Sequence, residues 1–233
     1  MGRQVKGLLY FFLTDIRYSL MIFWSILLSI LVLSLCISYF LIGVENGNYY
    51  LSLDIPIYVY CAIFGFLTVK ESIPFAIKIG ATRKNVFVAL GVFFLGLAVV
   101  KSVISSTLQL VTLAFTEATG VSTFNFLYLS PLMEGSWLTR VIIDTTVMFF
   151  LISIMYIFGL LFYKAGLAGG GIVAGILILI LLYGIAEGWL LEFFINQFME
   201  PHLSFFYQLL GVGLVLYGLT YFFIRNITII KTK

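Results

Sequence analysis

Ser72-Ile73-Pro74-Phe75-Ala76-Ile77-Lys78-Ile79-Gly80-Ala81-Thr82-Arg83-Lys84-Asn85 is a short basic stretch set between two long apolar runs, 53–69 and 86–115. No other interior connection carries as many cations, which marks it as the place where a membrane body meets the aqueous phase. The rest of the chain agrees. Of 233 residues 62% are hydrophobic and 10% charged, with a mean hydropathy of +1.15. A soluble domain of this size could not cover itself with so few charges.

An apolar run of about 18 residues or more crosses a hydrocarbon core roughly 30 Å thick as a helix. Six such runs are present, at 20–43, 53–69, 86–115, 141–163, 166–190 and 205–224. The second is short unless its helix continues through Pro74, and the third is long enough to project beyond the bilayer. The expected fold is an all-α membrane protein forming a single transmembrane domain over 1–233. It has an interfacial N-terminal helix at 1–19, a six-span bundle at 20–225 and a tail at 226–233.

Charge gives the orientation. Six spans put both termini on one side, and that side collects Arg3, Lys6, Arg17, Lys70, Lys78, Arg83, Lys84, Lys164, Arg225, Lys231 and Lys233, against Asp15 and Glu71. The remainder holds Lys101 and Arg140 with Glu45, Asp54, Glu117, Glu134, Asp144, Glu187, Glu192 and Glu200. Eleven of thirteen cations on one face predicts cytoplasmic termini in a plasma membrane. The net charge of +3 is thus two opposed faces, not a nucleic-acid patch. Cys36 and Cys61 both fall within spans, where thiols serve as small apolar fillers. The first apolar run exceeds a signal-peptide h-region and lacks a small-x-small cleavage site, so it is expected to be retained.

In the first nineteen residues Val5, Leu8, Leu9, Phe12 and Ile16 recur at helical spacing, opposite Arg3, Lys6, Tyr10, Thr14 and Arg17. That pattern describes an amphipathic helix lying in the inner headgroup layer before the chain turns into span 1. Phe11 and Leu13 blur its polar side, so partial cover by protein is expected; a merely basic flank of span 1 is the alternative. In the basic bend Pro74 should bend or interrupt the arriving helix, Gly80 can end it left-handed, and Thr82 can cap the next. Taken alone, Lys78, Arg83 and Lys84 fit simple anchoring to headgroups.

After span 5, residues 187–202 are amphipathic and acidic, too short to span, and end near Pro201. A short outer or re-entrant helix fits them. Glycines cluster in span 5, where Gly171/Gly175 and Gly184/Gly188 have the small-xxx-small spacing of close helix contacts.

Lys101 is the anomaly, placed near the middle of span 3 and followed by Ser102, Ser105, Ser106, Thr107 and Gln109. A mid-bilayer charge costs about 2.5–3.5 kcal/mol on insertion scales, so it should face protein, water or an acid. Asp144, with Arg140 one turn earlier, and Glu187 are candidate partners. Lys101, Ser105, Asp144 and Glu187 therefore mark either a polar translocation path or an internal ion pair, and Lys101 can also extend its stem to the interface. Catalysis has little support: His202 is the single histidine, and neither a metal-ligand cluster nor a Gly-x-Ser-x-Gly elbow is present. A Gly-x-x-x-x-Gly-Lys-Ser/Thr phosphate loop is also missing. Asn226-Ile227-Thr228 matches a glycosylation acceptor on the side expected to be cytoplasmic, and reads as chance.

Together these features resemble the membrane subunit of an ABC type-2 exporter of the compact kind common in Gram-positive bacteria. The local match is 74–85, similar to the "PFALSLGxTRK" stretch of such permeases; the topology extends the resemblance over nearly the whole chain. The resemblance implies that the bend carries a coupling helix docking in a separate ATPase, with Lys78, Gly80, Thr82, Arg83 and Lys84 as the coupling residues. It implies two permease subunits, identical or related, with two ATPases. This chain would carry no cofactor, ATP and Mg being bound by the partner. An amphipathic cargo such as a peptide antibiotic or a lipid-like molecule suits its 24 Phe and 14 Tyr. Two alternatives stay open: a substrate-capture subunit resembling those of energy-coupling-factor importers, and a non-transporting sensor or immunity protein.

Overall fold

A computed structural model describes residues 2–44, 47–199 and 202–225; for Phe194 and 196–199 it describes the backbone alone. Glu45, Glu200, Pro201, the Asn226-Ile227-Thr228 triplet and the tail with Lys231 and Lys233 lie outside the described residues. The described chain is almost entirely helical, in the order α1 (Gly2–Phe40), β1 (Tyr49–Leu51), α2 (Asp54–Lys78), α3 (Arg83–Thr119), β2 (Phe124–Phe126), α4 (Leu132–Gly135), α5 (Trp137–Ala186), α6 (Trp189–Met199) and α7 (Leu203–Arg225). Five of these, α1, α2, α3, α5 and α7, are long and apolar enough to cross a membrane. That is the architecture of a helical membrane protein. β1 and β2 add a feature an all-α expectation lacks: a parallel pair of three residues each, with Tyr49 opposite Phe124. It is reinforced by Ser38 and Thr123, whose hydroxyls lie 2.6 Å apart.

The length of α5 conceals a break. Gly166 has φ +68° and ψ −176°, a conformation essentially reserved for glycine. Beyond it, a methyl on Gly170 would fall 2.6 Å from the Phe162 ring. Residues eight apart in a straight helix are separated by about 12 Å along the axis, so the chain turns back sharply at Gly166. The two arms, 137–165 and 167–186, are different objects. The first packs against α2, α3 and α7 and carries the buried Ile143, Met148, Phe149, Ile152, Tyr156 and Leu160. In the second, only Gly170 and Gly184 are buried.

Close helix approach falls where the glycine pattern did not place it. A methyl on Gly65 of α2 would sit 2.5 Å from the Ile152 carbonyl oxygen, and one on Gly159 would sit 2.7 Å from that of Phe66. These two isolated glycines let α2 and the first arm of α5 touch backbone to backbone. Around Gly171 and Gly175 there is open space. Gly184 packs against Trp189 only a few residues on. The span-5 spacing is therefore no helix-packing face within this chain.

At its start the chain departs from expectation again. The apolar stripe is as read, with Leu8, Phe12 and Ile16 buried, and Arg3, Lys6, Tyr10, Thr14 and Arg17 all exposed. No turn follows it, however. α1 stays helical from Gly2 to Phe40, a rod of about 58 Å at 1.5 Å per residue. The stripe continues through Leu27, Leu31, Ser34 and Ser38, so one unbroken face holds the whole rod against the protein. α2 likewise runs through Pro74 to Lys78 without interruption. The expected short helix after span 5 is α6.

Candidate functional site

Two places gather the polar chemistry of this apolar molecule, one at the start of α3 and one from its midpoint onward. The first is the basic bend. α2 ends in a Schellman motif: the Ala81 amide donates to the Ala76 carbonyl at 3.1 Å, and the Gly80 amide to that of Ile77 at 3.0 Å. Gly80 itself has φ +84°, which any residue with a Cβ resists. Thr82 then caps α3, its hydroxyl accepting from the Asn85 amide at 3.3 Å. The roles assigned to Gly80 and Thr82 as backbone devices are those found.

The cations of the bend divide in two. Lys78 and Lys84 are exposed. Arg83 is exposed too, yet its guanidinium donates to the carbonyl of Arg225, 2.6 Å away, at the last turn of α7. That bond serves one of the orphan carbonyls every helix leaves at its C-terminus. Next to it the Asn85 side-chain amide donates to the Gln4 side chain, joining α3 to the start of α1. Phe11 stacks on Phe75 with ring centroids 4.3 Å apart. Lys164 lies 5.7 Å from the Phe223 ring centroid. The bend is thereby fastened to both ends of the described chain.

The second place lies toward the other end of α3. Eighteen residues separate Arg83 from Lys101, about 27 Å of helix. Lys101 is the midpoint of α3 (Arg83–Thr119). Lys101 is 1% exposed. Its Nζ stands 3.5 Å from the Tyr60 ring centroid and 4.3 Å from that of Phe23, an aromatic cage that attracts a cation through the ring quadrupoles. It has no hydrogen-bond partner. Neither candidate acid pairs with it: Asp144 takes a hydrogen bond from Tyr58 instead, and Glu187 is exposed at the end of the second arm of α5.

One to two turns beyond Lys101, α2, α3 and α5 enclose two carboxylates. Asp54 is 1% exposed and Asp144 fully buried. The Oδ1 of Asp54 accepts from Ser105 Oγ at 3.1 Å and Gln109 Nε2 at 2.8 Å. The Oδ1 of Asp144 accepts from the Tyr58 hydroxyl at 2.5 Å. Each acid leaves its Oδ2 without a partner, as Gln109 leaves its Oε1. Arg140 is close enough to attract both carboxylates, but its Nε donates to the Met133 carbonyl at 2.5 Å, and its guanidinium lies 4.8 Å from the Tyr128 ring centroid. Burial pushes the Tyr128 phenol above its ordinary value.

Of the polar set expected from sequence, Lys101, Ser105 and Asp144 therefore share one buried region and Glu187 does not. Asp54, Tyr58, Gln109 and Arg140 complete it. The signal was present as i, i+4 spacing on three helices: Asp54/Tyr58, Ser105/Gln109 and Arg140/Asp144. What spacing could not give was that these three stripes face one another. Compared with known protein families, curated proteins and solved structures, the chain matches none.

Proposed function

We propose that this chain is the permease subunit of an ATP-driven exporter of the ABC type-2 kind. It crosses the cell membrane six times, the two arms of α5 counting separately, with both termini on the cytoplasmic side. A separate ATPase, holding ATP and Mg, docks on the basic bend in two copies per complex, and a second permease subunit completes the path. The cargo is amphipathic.

The observation that carries this reading is the construction of the bend. It is a stiff, capped corner presenting Lys78 and Lys84 outward, while Asn85 and Arg83 bind it to the start of α1 and the end of α7. Force applied there is delivered to four long helices at once. The phosphate loop missing from the sequence fits an energy source on another chain. An apolar groove of about 450 Å³, lined by Phe150, Phe193, Phe205 and Phe206 among others, suits an amphipathic cargo.

The test is co-purification. The tagged chain should bring down an ATPase subunit from its native membranes. Lys78→Glu with Lys84→Glu should abolish that association, because like charge opposed to an acidic groove costs several kcal/mol, while leaving the chain monodisperse. Undiminished association of the doubly reversed chain would remove the docking assignment. Arg83 is the wrong probe on its own, since its loss also unties α7.

A further inference from the structure

We infer that the buried oxygen cluster formed by Asp54, Gln109 and Asp144 is a binding site for one monovalent alkali cation. The inference does not depend on an ATPase partner, and purified chain suffices to test it.

Start with what the cluster lacks. Its polar atoms without partners are all acceptors: Asp54 Oδ2, Asp144 Oδ2 and Gln109 Oε1. The donors bonded to the two acids are turned to their other oxygens. Ser105 and the Gln109 amide nitrogen are spent on Asp54 Oδ1, and the Tyr58 hydroxyl on Asp144 Oδ1. Arg140, which ordinarily would fork onto a carboxylate, turns its Nε to the Met133 carbonyl. Gln109 makes the case more than an acid pair: it is 1% exposed, it touches Asp54, and its carbonyl oxygen has nothing to accept. Buried acceptors in surplus are costly unless a proton donor or a cation satisfies them.

Charge and chemistry then select the ion. Two carboxylates beside one guanidinium leave a single negative charge in an enclosed space. Lys101 is held apart by the Phe23 and Tyr60 rings and hydrogen-bonds to none of these oxygens. One monovalent cation neutralises the cluster; a divalent one would leave it positive. The donors are all oxygen, which suits hard cations. Among the described residues no three His, Cys, Asp or Glu come together as a transition metal would require. A cleft of about 310 Å³ lined by Glu117, Ser136, Trp137 and Arg140 lies beside the cluster's guanidinium. Glu117 is exposed, and Arg140, which also lines the cleft, attracts both carboxylates.

The experiment measures equilibrium binding of radioactive sodium to the full chain in detergent or nanodiscs. It is paired with melting of the intrinsic Trp fluorescence in sodium chloride against choline chloride at equal ionic strength. Saturable binding of about one sodium per chain is expected, with a melting midpoint several degrees higher in sodium, as linkage requires of any ligand preferring the folded state. Asp144→Asn and Gln109→Leu should each weaken binding tenfold or more, while Glu187→Gln leaves it unchanged. If Asp144→Asn does not fold, Gln109→Leu carries the same comparison. Absence of saturable binding to the wild-type chain overturns the inference. So does displacement by calcium at lower concentration than sodium, or a stabilisation that acidification reproduces without sodium.

Discussion

A lysine buried to 1% exposure with no hydrogen-bond partner is an unusual holding for any protein. Lys101 keeps only the faces of Phe23 and Tyr60, an interaction worth about 0.5–2 kcal/mol, against a desolvation cost of several kcal/mol for an ion. Lys101→Met should therefore leave the melting temperature unchanged or raise it. A fall of several degrees would show that the cage outweighs desolvation. If stability is kept and transport lost, the charge is retained for function. Gly65 and Gly159 make the opposite case. Their value lies in the absence of a side chain, so Gly65→Ala forces α2 off the Ile152 carbonyl and should destabilise by about 1–3 kcal/mol. Thermal or denaturant unfolding in detergent reads this directly, with Gly171→Ala, which faces open space, as the unaffected comparison.

Among elements, the corner between α2 and α3 was readable residue by residue, because its features are local. A left-handed glycine and a Thr cap act within four residues of chain, and sequence neighbours are all they need. Gly80→Ala should cost about 1–2 kcal/mol through its positive φ, and Thr82→Ala about 1 kcal/mol through the lost cap. Stability measurements on the two variants check both, and the double variant should cost about their sum only if the motifs act independently. A break between 163 and 166 was readable, because Lys164 separates two apolar runs there, but the residue that makes it, Gly166, was not. It stands among Gly169, Gly170 and Gly171, and nothing in the run says which glycine turns the chain. Its backbone at φ +68° and the fold-back of Gly170 onto Phe162 identify it. The missing turn after residue 19 has a similar origin. A polar face predicts an aqueous neighbour, but a helix bends only where something breaks its ladder, and α1 contains neither Pro nor an interior positive-φ glycine.

At the scale of the whole molecule, the basic end is a knot. α1, α3 and α7 meet there through Gln4, Asn85, Arg83 and Arg225, while the opposite end holds the miniature sheet and the oxygen cluster. Load applied at the corner and an ion bound near the far end both act on α2 and α3. Sodium bound to the cluster should therefore slow amide exchange in α2 and α3 beyond its own contacts, a change that hydrogen-exchange mass spectrometry of the full chain would detect. Protection confined to the immediate neighbours of Asp54 and Asp144 would mean the two ends are independent. The sequence by itself determined the membrane class, the apolar helices and the chemistry of the basic corner, since each depends on composition or on residues within one or two turns. The tertiary structure alone decided which residue makes the break between 163 and 166, the contacts at Gly65 and Gly159, and the union of Asp54, Gln109 and Asp144. Those depend on which faces of separate helices meet, and many rotations of an almost uniformly apolar helix bury it equally well.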